Sequence, residues 1–149
     1  MQTPPHPRPP GALYRRIERK LGLSSPIRSD WDLARLVQER MPIETVESLT
    51  NHGLSEAEVY SFILPRRTLT HRRNRSEGLT MEESDKAVRV ARLTSLGDDV
   101  FGDDEKAGRW LRKPKQRFDK RCPLEMLRTE AGARIVEEML LQLDYGFFA

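Results

Sequence analysis

The chain has 149 residues, of which 37% are hydrophobic and 33% charged, and its formal net charge at neutral pH is +3. This length fits one domain or two small ones, and no apolar run approaches the ~20 residues that span a bilayer. The single cysteine, Cys122, excludes a disulfide framework and a cysteine-rich metal site. We therefore expect a cytoplasmic protein without membrane contact, whose small cores favour oligomerisation.

Charge is unevenly distributed along the chain. Residues 1–76 contain 13 Lys and Arg against 8 Asp and Glu, whereas residues 77–149 contain 13 against 15. The front half therefore suits an anionic partner, and the back half does not.

The sequence predicts an all-α fold that follows a flexible, Pro-rich arm over residues 1–11. The arm lacks the apolar segment of a signal peptide. Beyond it, the alternating pattern of β-strands is nearly absent, and apolar residues recur at helical spacing. Helices are predicted over 12–21, 30–40, 42–51, 56–63, 66–74, 81–96, 104–111, 123–128 and 130–145.

Several of these helices carry recognisable start and stop signals. Ser55 with Glu58, and Thr80 with Glu83, have the spacing of capping boxes. Gly97 is expected to end the helix that Thr80 begins. The final helix is expected to bury an apolar stripe, which consists of Ile135, Val136, Met139, Leu140 and Leu143.

The segment 54–75 has the form of a helix-turn-helix: a capped helix, a break at Leu64-Pro65 and a polar second helix. The second helix, 66–75, contains five Arg and no acid, and Arg side chains bind phosphates and guanine edges. We predict DNA contacts from Arg66, Arg67, Thr68, Thr70, His71, Arg72, Arg73 and Arg75. The alternative is a solvated cationic helix on an ordinary bundle.

The chain ends on three aromatic residues, Tyr145, Phe147 and Phe148, in a segment where termini usually fray. Aromatic side chains with few rotatable bonds are typical anchors in protein interfaces. We therefore expect the tail to insert into a partner. It could instead fold back onto its own domain or form a homodimer contact, and Tyr145 could cap the domain's core.

Two sets of residues carry a resemblance to a known family. The first set is Gly53–Ser55, Arg67–Leu69, Arg72, Arg73, Leu79, Thr80, Arg92 and Leu93. The second set is Ala91, Leu96, Val100, Phe101, Gly102, Asp103, Ala107, Trp110, Leu111, Pro114, Pro123, Leu124, Leu127, Thr129, Gly132, Val136, Leu140, Tyr145 and Gly146. They resemble, in that order, the Xre-like helix-turn-helix and the toxin-binding domain of the Xre/MbcA/ParS antitoxins. The resemblance covers about residues 42–147, of which residues 93–147 resemble the toxin-binding domain.

The resemblance implies an antitoxin that is encoded beside a RES-domain toxin, which consumes NAD. The C-terminal domain would block the toxin's NAD pocket, and the helix-turn-helix would repress the shared operon. The domains would then be 12–92 for DNA and 93–149 for the toxin. Contacts with the toxin are expected from Trp110, Arg112, Lys113, Tyr145, Gly146, Phe147, Phe148 and Ala149. The basic loop 115–121 departs from the family pattern, which usually has an Asn, small residues and a Gly-containing turn there.

No catalysis, metal or cofactor is expected. Three His and one Cys show no metal-ligand spacing, and no Gly-rich phosphate loop follows a strand. Cys122, directly before Pro123, is interpreted as a helix-cap position rather than a nucleophile. We expect a homodimer, because operators are usually read by two-fold symmetric proteins. The alternatives are a stand-alone transcriptional regulator whose C-terminal domain dimerises, and a dimerisation bundle that no longer binds DNA.

Overall fold

The computed structural model describes Pro9 and residues 11–146, and within this part of the chain every regular element is helical. The helices are α1 (Ala12–Leu21), α2 (Asp30–Glu39), α3 (Glu44–Asn51), α4 (Glu56–Phe62), α5 (Arg66–Asn74), α6 (Met81–Phe101), α7 (Asp104–Arg112), α8 (Pro123–Met126) and α9 (Glu130–Asp144), with a 3₁₀ turn at Gln116–Phe118. The all-α prediction is confirmed. None of the described helices is long and apolar enough to cross a membrane.

Contacts divide the chain into two compact units. The N-terminal unit is Tyr14–Ala91, and the C-terminal unit comprises the described residues of Arg92–Ala149 and Met1–Leu13. Each unit has its own buried apolar residues. In the N-terminal unit these include Ile17, Leu21, Leu33, Val46, Leu49, Val59, Leu69, Leu79 and Val90, and in the C-terminal unit Leu111, Phe118, Leu124, Leu127, Val136 and Leu140.

Side-chain caps begin the helices of the N-terminal unit where the sequence predicts them. The Glu58 amide donates to the Ser55 hydroxyl oxygen at 3.1 Å, and the Ser55 amide donates to the Glu58 carboxylate at 2.9 Å, which completes the predicted capping box. Before α6, the Glu83 amide donates to the Thr80 hydroxyl oxygen at 3.1 Å. Such caps satisfy amides that the first helical turn leaves without partners.

Helix α6 continues through Gly97 to Phe101, so the prediction that Gly97 ends it was wrong. A glycine inside a helix costs about 1 kcal/mol relative to alanine. Tertiary packing keeps α6 helical here, because Gly97 is buried between residues of the same helix that are also buried, such as Leu96. A Cβ atom at Gly97 would make ordinary contacts with Leu111 (3.6 Å) and Ala107 (3.7 Å), so the position does not require glycine. The chain instead turns at Gly102, where φ is +67°.

The C-terminal unit is built on short, capped helices. Asp103 accepts hydrogen bonds from the amides of Glu105 (2.8 Å) and Lys106 (3.2 Å), and these bonds lower the pKa of its carboxyl group. The pKa shift means that the cap contributes stability above the ordinary pKa of an aspartate and loses it as the pH falls through the lowered value. At the start of α9, the Gly132 amide donates to the Thr129 hydroxyl at 3.0 Å.

The turn between α8 and α9 leaves no room for a side chain at Gly132. A Cβ atom there would overlap the carbonyl oxygen of Met126 and lie 3.0 Å from the Thr129 hydroxyl oxygen. Helix α8 ends at Met126, two residues before its predicted end.

The predicted buried stripe of α9 needs a correction. Val136, Met139 and Leu140 are buried, but Ile135 is 40% exposed, because it lies about a quarter-turn around the helix from the centre of that stripe.

Candidate nucleic-acid interface and candidate partner surface

The α4–α5 segment has helix-turn-helix geometry. Ile63–Pro65 form the break between the helices, and Pro65 has the extended conformation (φ −61°, ψ 151°) that allows α5 to begin directly at Arg66. Leu69 is 3% exposed and packs α5 into the N-terminal unit. The opposite face of α5 is therefore presented to solvent.

The solvent-facing line of α5 consists of Arg67, Thr70, His71 and Asn74, which follow the spacing i, i+3, i+4, i+7 and are all exposed. Arg66 and Arg75 are exposed on either side of this line, and Thr68 is half-buried. The sequence interpretation named all these residues except Asn74. The i+7 spacing from Arg67 could have identified Asn74 once Leu69 was assigned to the core.

Four Arg side chains of α5 and its C-terminal cap carry positive charge without an acidic partner among the described residues. Among the described residues, Arg66, Arg67, Arg73 and Arg75 form no side-chain hydrogen bond or ion pair. Arg73 lies between two open grooves of about 420 and 370 Å³, which it lines together with Glu47. Arg66, Arg67 and Arg75 therefore offer positive charge directly to an anionic partner, whereas Arg73 does so beside a carboxylate.

Arg72 differs from the other Arg residues of α5, because its guanidinium group is bound within the protein. One nitrogen lies 2.6 Å from a carboxylate oxygen of Glu83 in α6, and another donates to the Gly78 carbonyl at 3.0 Å. The two side chains are only 17% and 11% exposed, and the second Glu83 oxygen is buried without a partner. This contact joins α5 to the start of α6 within the N-terminal unit.

Trp110 in α7 lies between an aromatic ring and a cation. Its ring centroid is 5.8 Å from that of Phe101, with 44° between the planes, and the Lys115 ammonium lies 4.8 Å from the Trp110 ring centroid. Trp110 is half-buried, so part of its side chain packs within the unit and part remains exposed. Burial, and the neighbouring charge of Lys113, lower the pKa of Lys115.

The other predicted partner-contact residues that the structure describes lie at the C-terminal ends of two helices, α7 and α9. Arg112 and Lys113 are exposed where α7 ends, and an Arg112 nitrogen donates to the Gly108 carbonyl at 3.3 Å. Tyr145, 63% exposed, caps α9, and Gly146 turns the chain with a φ of +76°. The predicted contacts of Phe147, Phe148 and Ala149 lie outside the described residues.

Two neighbouring apolar side chains near the end of α9 are exposed. Leu141 and Tyr145, one helical turn apart, are 39% and 63% exposed. Leu141 was missed from the sequence, whereas Tyr145 was predicted as a partner contact. Ile135, which is 40% exposed, lies about a third of a turn away around the helix. Neighbouring exposed apolar residues are typical of interaction surfaces, and Leu141 and Tyr145 directly precede the C-terminal tail in the sequence.

Neither a metal site nor a reactive thiol is found in the described part of the chain. No group of three or more His, Cys, Asp or Glu side chains there could hold a metal ion. Cys122 occupies the N-cap position of α8, as predicted, and its amide donates to the Glu125 carboxylate at 2.8 Å. Burial raises the pKa of the Cys122 thiol, which disfavours the nucleophilic thiolate.

Comparison with known proteins identifies both halves of the chain. Residues 32–92 match the antitoxin Xre-like helix-turn-helix domain, and residues 96–146 match the antitoxin Xre/MbcA/ParS C-terminal toxin-binding domain. A relative from Pseudomonas putida, Antitoxin Xre, is 39% identical over 119 residues, which cover 80% of this chain and 75% of the relative. The chain belongs to the Xre/MbcA/ParS antitoxin family.

Two further relatives named Antitoxin Xre extend the similarity. The protein from Yersinia enterocolitica is 36% identical over 87 residues (58% of this chain and 59% of the relative), and that from Photorhabdus laumondii is 24% identical over 147 residues (97% and 95%). The family is one of type II antitoxins and not of enzymes, as the sequence interpretation held. Its two domains imply DNA and a cognate toxin as partners.

Proposed function

We propose that this antitoxin neutralises a RES-domain toxin that degrades NAD, and that it represses its own operon through the helix-turn-helix. In this proposal the C-terminal domain blocks the active-site pocket of the toxin, and both activities take place in the bacterial cytoplasm, where the operon and the toxin are. The observation that carries the toxin half is the end of α9, which exposes Tyr145 next to a Gly146 turn and an aromatic tail.

The proposed contact with the toxin combines an apolar and a cationic part. Tyr145, Gly146, Phe147, Phe148 and Ala149 form the part that would enter or cover the pocket. Trp110, Arg112 and Lys113 form a second part at the end of α7. Large aromatic side chains gain most when a partner removes them fully from water, which is the role proposed for the tail.

Co-expression tests the toxin half. The neighbouring RES-domain gene is expressed alone, with the full-length antitoxin, and with an antitoxin truncated after Gly146, while growth and cellular NAD are measured. We expect growth and cellular NAD to be restored fully by the untruncated chain and only in part by the truncated one. Neutralisation by the truncated chain at equal abundance would remove the tail from the mechanism, and no rescue by the complete chain would reject the RES partner.

The DNA half rests on the uncompensated face of α5. Arg66 and Arg67 stand at the N-terminal end of the second helix of the helix-turn-helix, which is the end that contacts base edges in this motif. Thr68, Thr70, His71, Arg73 and Arg75 are proposed as further contacts, and Asn74 joins them because it lies on the same exposed line. For Arg72 the bond to Glu83 favours a role in positioning α5.

Titration of a duplex from the native promoter tests this half. We expect Arg66→Ala with Arg67→Ala to weaken binding about 10- to 100-fold and to reduce the salt dependence by roughly two phosphate contacts. The matched control is Arg28→Ala with Arg35→Ala, which removes the same charge from exposed positions of the same unit. If the α5 pair and the control pair weakened binding equally, net charge alone would explain the interaction. If neither the wild type nor the variants bound the duplex, the N-terminal unit would be a bundle that does not bind DNA.

We also propose that the protein acts as a homodimer. Trp31, at the start of α2, is 72% exposed, and such a large apolar side chain is stabilised when a second subunit covers it. Light scattering of the wild type and of Trp31→Ala at matched concentrations tests this proposal. A monomeric wild type would reject it. A dimeric Trp31→Ala variant with unchanged affinity would move the interface elsewhere.

A further inference from the structure

The segment between α7 and α8 concentrates positive charge in a short loop. Residues 113–121, the cationic loop, contain Lys113, Lys115, Arg117, Lys120 and Arg121 against one acid, Asp119. Over residues 92–146, Lys and Arg equal Asp and Glu at 11 each, so the excess of four positive charges in the loop is balanced by an equal excess of acids in the rest of the unit. The positive charge of this unit is therefore concentrated in the loop.

Three of the five cations of the loop form no ion pair, in contrast to several cations of the helices. On α6, α7 and α9 the i, i+4 ion pairs are Lys86–Glu82, Arg89–Asp85, Arg109–Glu105 and Arg134–Glu130. Lys113, Arg117 and Lys120 are exposed and form no side-chain hydrogen bond or ion pair with other described residues. Lys115 lies over the Trp110 ring, and its pKa is lowered first by burial and then by the charge of Lys113.

Backbone hydrogen bonds and one buried ring hold the loop in a defined shape. The Lys115 amide donates to the Arg121 carbonyl and the Lys120 amide to the Lys115 carbonyl, both at 3.0 Å. Phe118, 7% exposed, fixes the middle of the loop in the core. Asp119 and Lys120 have φ values of 51° and 66°, in the left-handed region that residues other than glycine rarely adopt. The loop therefore holds its positive side chains at the surface before a partner binds.

The position of the loop favours a protein as the partner, because residues 96–146 match a toxin-binding domain. Neither the nearby acids nor the dipole of α7 accounts for the charge of the loop. Residues 98–105 contain five acids and no cation, and they precede and begin α7, whereas the cationic loop follows its end. A nine-residue helix is about 13 Å long, which exceeds the Debye length of ~8 Å at physiological salt. Acids at the start and cations at the end of α7 complement its dipole, but that effect ends within one turn and does not reach Arg117 or Lys120.

We propose that the cationic loop is a docking surface for an acidic face of the cognate toxin, and that it sets which toxin is chosen and how fast it is captured. The inference rests on the proposed function, because it takes the toxin as the partner of the C-terminal unit. It extends the cationic contact proposed at the end of α7 from Lys113 through the loop to Arg121, and it gives that contact a separate role from the tail. The loop attracts and orients the toxin by charge, and the tail supplies the apolar contact.

Association kinetics of the full-length protein with the RES-domain protein encoded beside it test the inference. The variant is Lys113→Gln, Arg117→Gln and Lys120→Gln; the control is Arg28→Gln, Arg35→Gln and Arg40→Gln, which changes the net charge equally at exposed positions of the other unit. At about 50 mM salt we expect the loop variant to associate about tenfold more slowly and the control less than twofold. At about 500 mM salt the difference is expected to disappear, and dissociation is expected to change less than twofold.

Three other outcomes would overturn the inference, and each identifies a different assumption as wrong. Wild-type protein that does not bind the RES-domain protein overturns the proposed function and the inference together. Wild-type binding with equal rates for the loop variant and the control overturns the inference alone. A loop variant that binds the toxin normally but loses affinity and salt dependence toward promoter duplex would assign the loop to nucleic acid. Circular dichroism and melting of the three proteins verify that the exposed substitutions leave the fold intact.

Discussion

The exposed face of α5 and the cationic loop both display unpaired positive charge, but different interactions hold them in place. In α5 the anchors are Leu69 and the ion pair between Arg72 and Glu83, which is largely buried. In the cationic loop the anchor is Phe118, with backbone hydrogen bonds closing the ends. In both segments, a residue whose side chain is buried in the protein holds the exposed cations in place. That residue, rather than the exposed ones, is the one whose loss changes the fold.

The largest effect is expected from Phe118→Ala. Removal of a buried phenyl group costs about 3–4 kcal/mol, through lost burial and the cavity that remains. We expect urea unfolding to show this loss and toxin binding to weaken, while affinity for promoter DNA stays within twofold. Phe118→Leu, which retains most of the volume, is expected to cost less than half as much. Equal stability of wild type and Phe118→Ala would mean that the backbone alone holds the loop.

A smaller effect is expected from Arg72→Ala, which leaves the Glu83 carboxylate buried without its partner. Breaking such a pair costs about 2–3 kcal/mol at this degree of burial, whereas Arg72→Met with Glu83→Met is expected to recover most of the stability. Chemical denaturation measures these differences. The single variant is expected to weaken DNA binding without reducing its salt slope.

The control for Arg72 is Arg67, its exposed neighbour. Arg67→Ala is expected to leave stability within about 0.5 kcal/mol and to reduce the salt slope of DNA binding by about one phosphate contact. If Arg72→Ala showed this behaviour instead, Arg72 would be a phosphate contact, and the distinction between the anchor and the exposed face of α5 would fail.

The smallest expected effect lies in the titration of Lys115. Lys113→Gln removes the neighbouring positive charge and is expected to raise the pKa of Lys115, while burial keeps that pKa below the ordinary lysine value. Because the folded-state pKa lies below the unfolded one, the shift opposes folding at lower pH, and this contribution fades as the pH rises through the window between the two values. NMR titration of the lysine side chains measures the change. A pKa of Lys115 that does not move would show that burial alone lowers it.

The sequence predicted most helix boundaries because local signals decide them. Ser55 with Glu58 and Thr80 before α6 form the caps that their spacing predicts. Glu83, in contrast, has the spacing of a capping-box partner, but its carboxylate binds Arg72, eleven residues earlier in the chain. A capping motif fixes the position of a helix start, whereas the destination of its acidic side chain depends on tertiary contacts.

The candidate sites were predicted less completely, because composition does not distinguish an anchoring cation from an exposed one. The run of Arg in α5 indicated a DNA-binding face, yet only the structure separates Arg72 from Arg67. The predictions that Gly97 ends α6 and that Ile135 is buried were wrong for a related reason. The stop signal of a glycine is overridden where neighbours pack against it, and an isoleucine at the edge of an apolar stripe lies at the surface when no other element covers it.

The contact between Gly132 and the Met126 carbonyl limits which parts of the C-terminal unit can change during evolution. Any side chain at 132 would meet the backbone of the α8–α9 turn, so this position holds the scaffold fixed. The side chains of Lys113, Arg117 and Lys120 form no hydrogen bond or ion pair with described residues, and their replacement is expected to cost the fold little. Under the proposed role of the cationic loop, substitutions at these three positions would change the charge pattern that is offered to a toxin, while α7, α8 and α9 keep their packing.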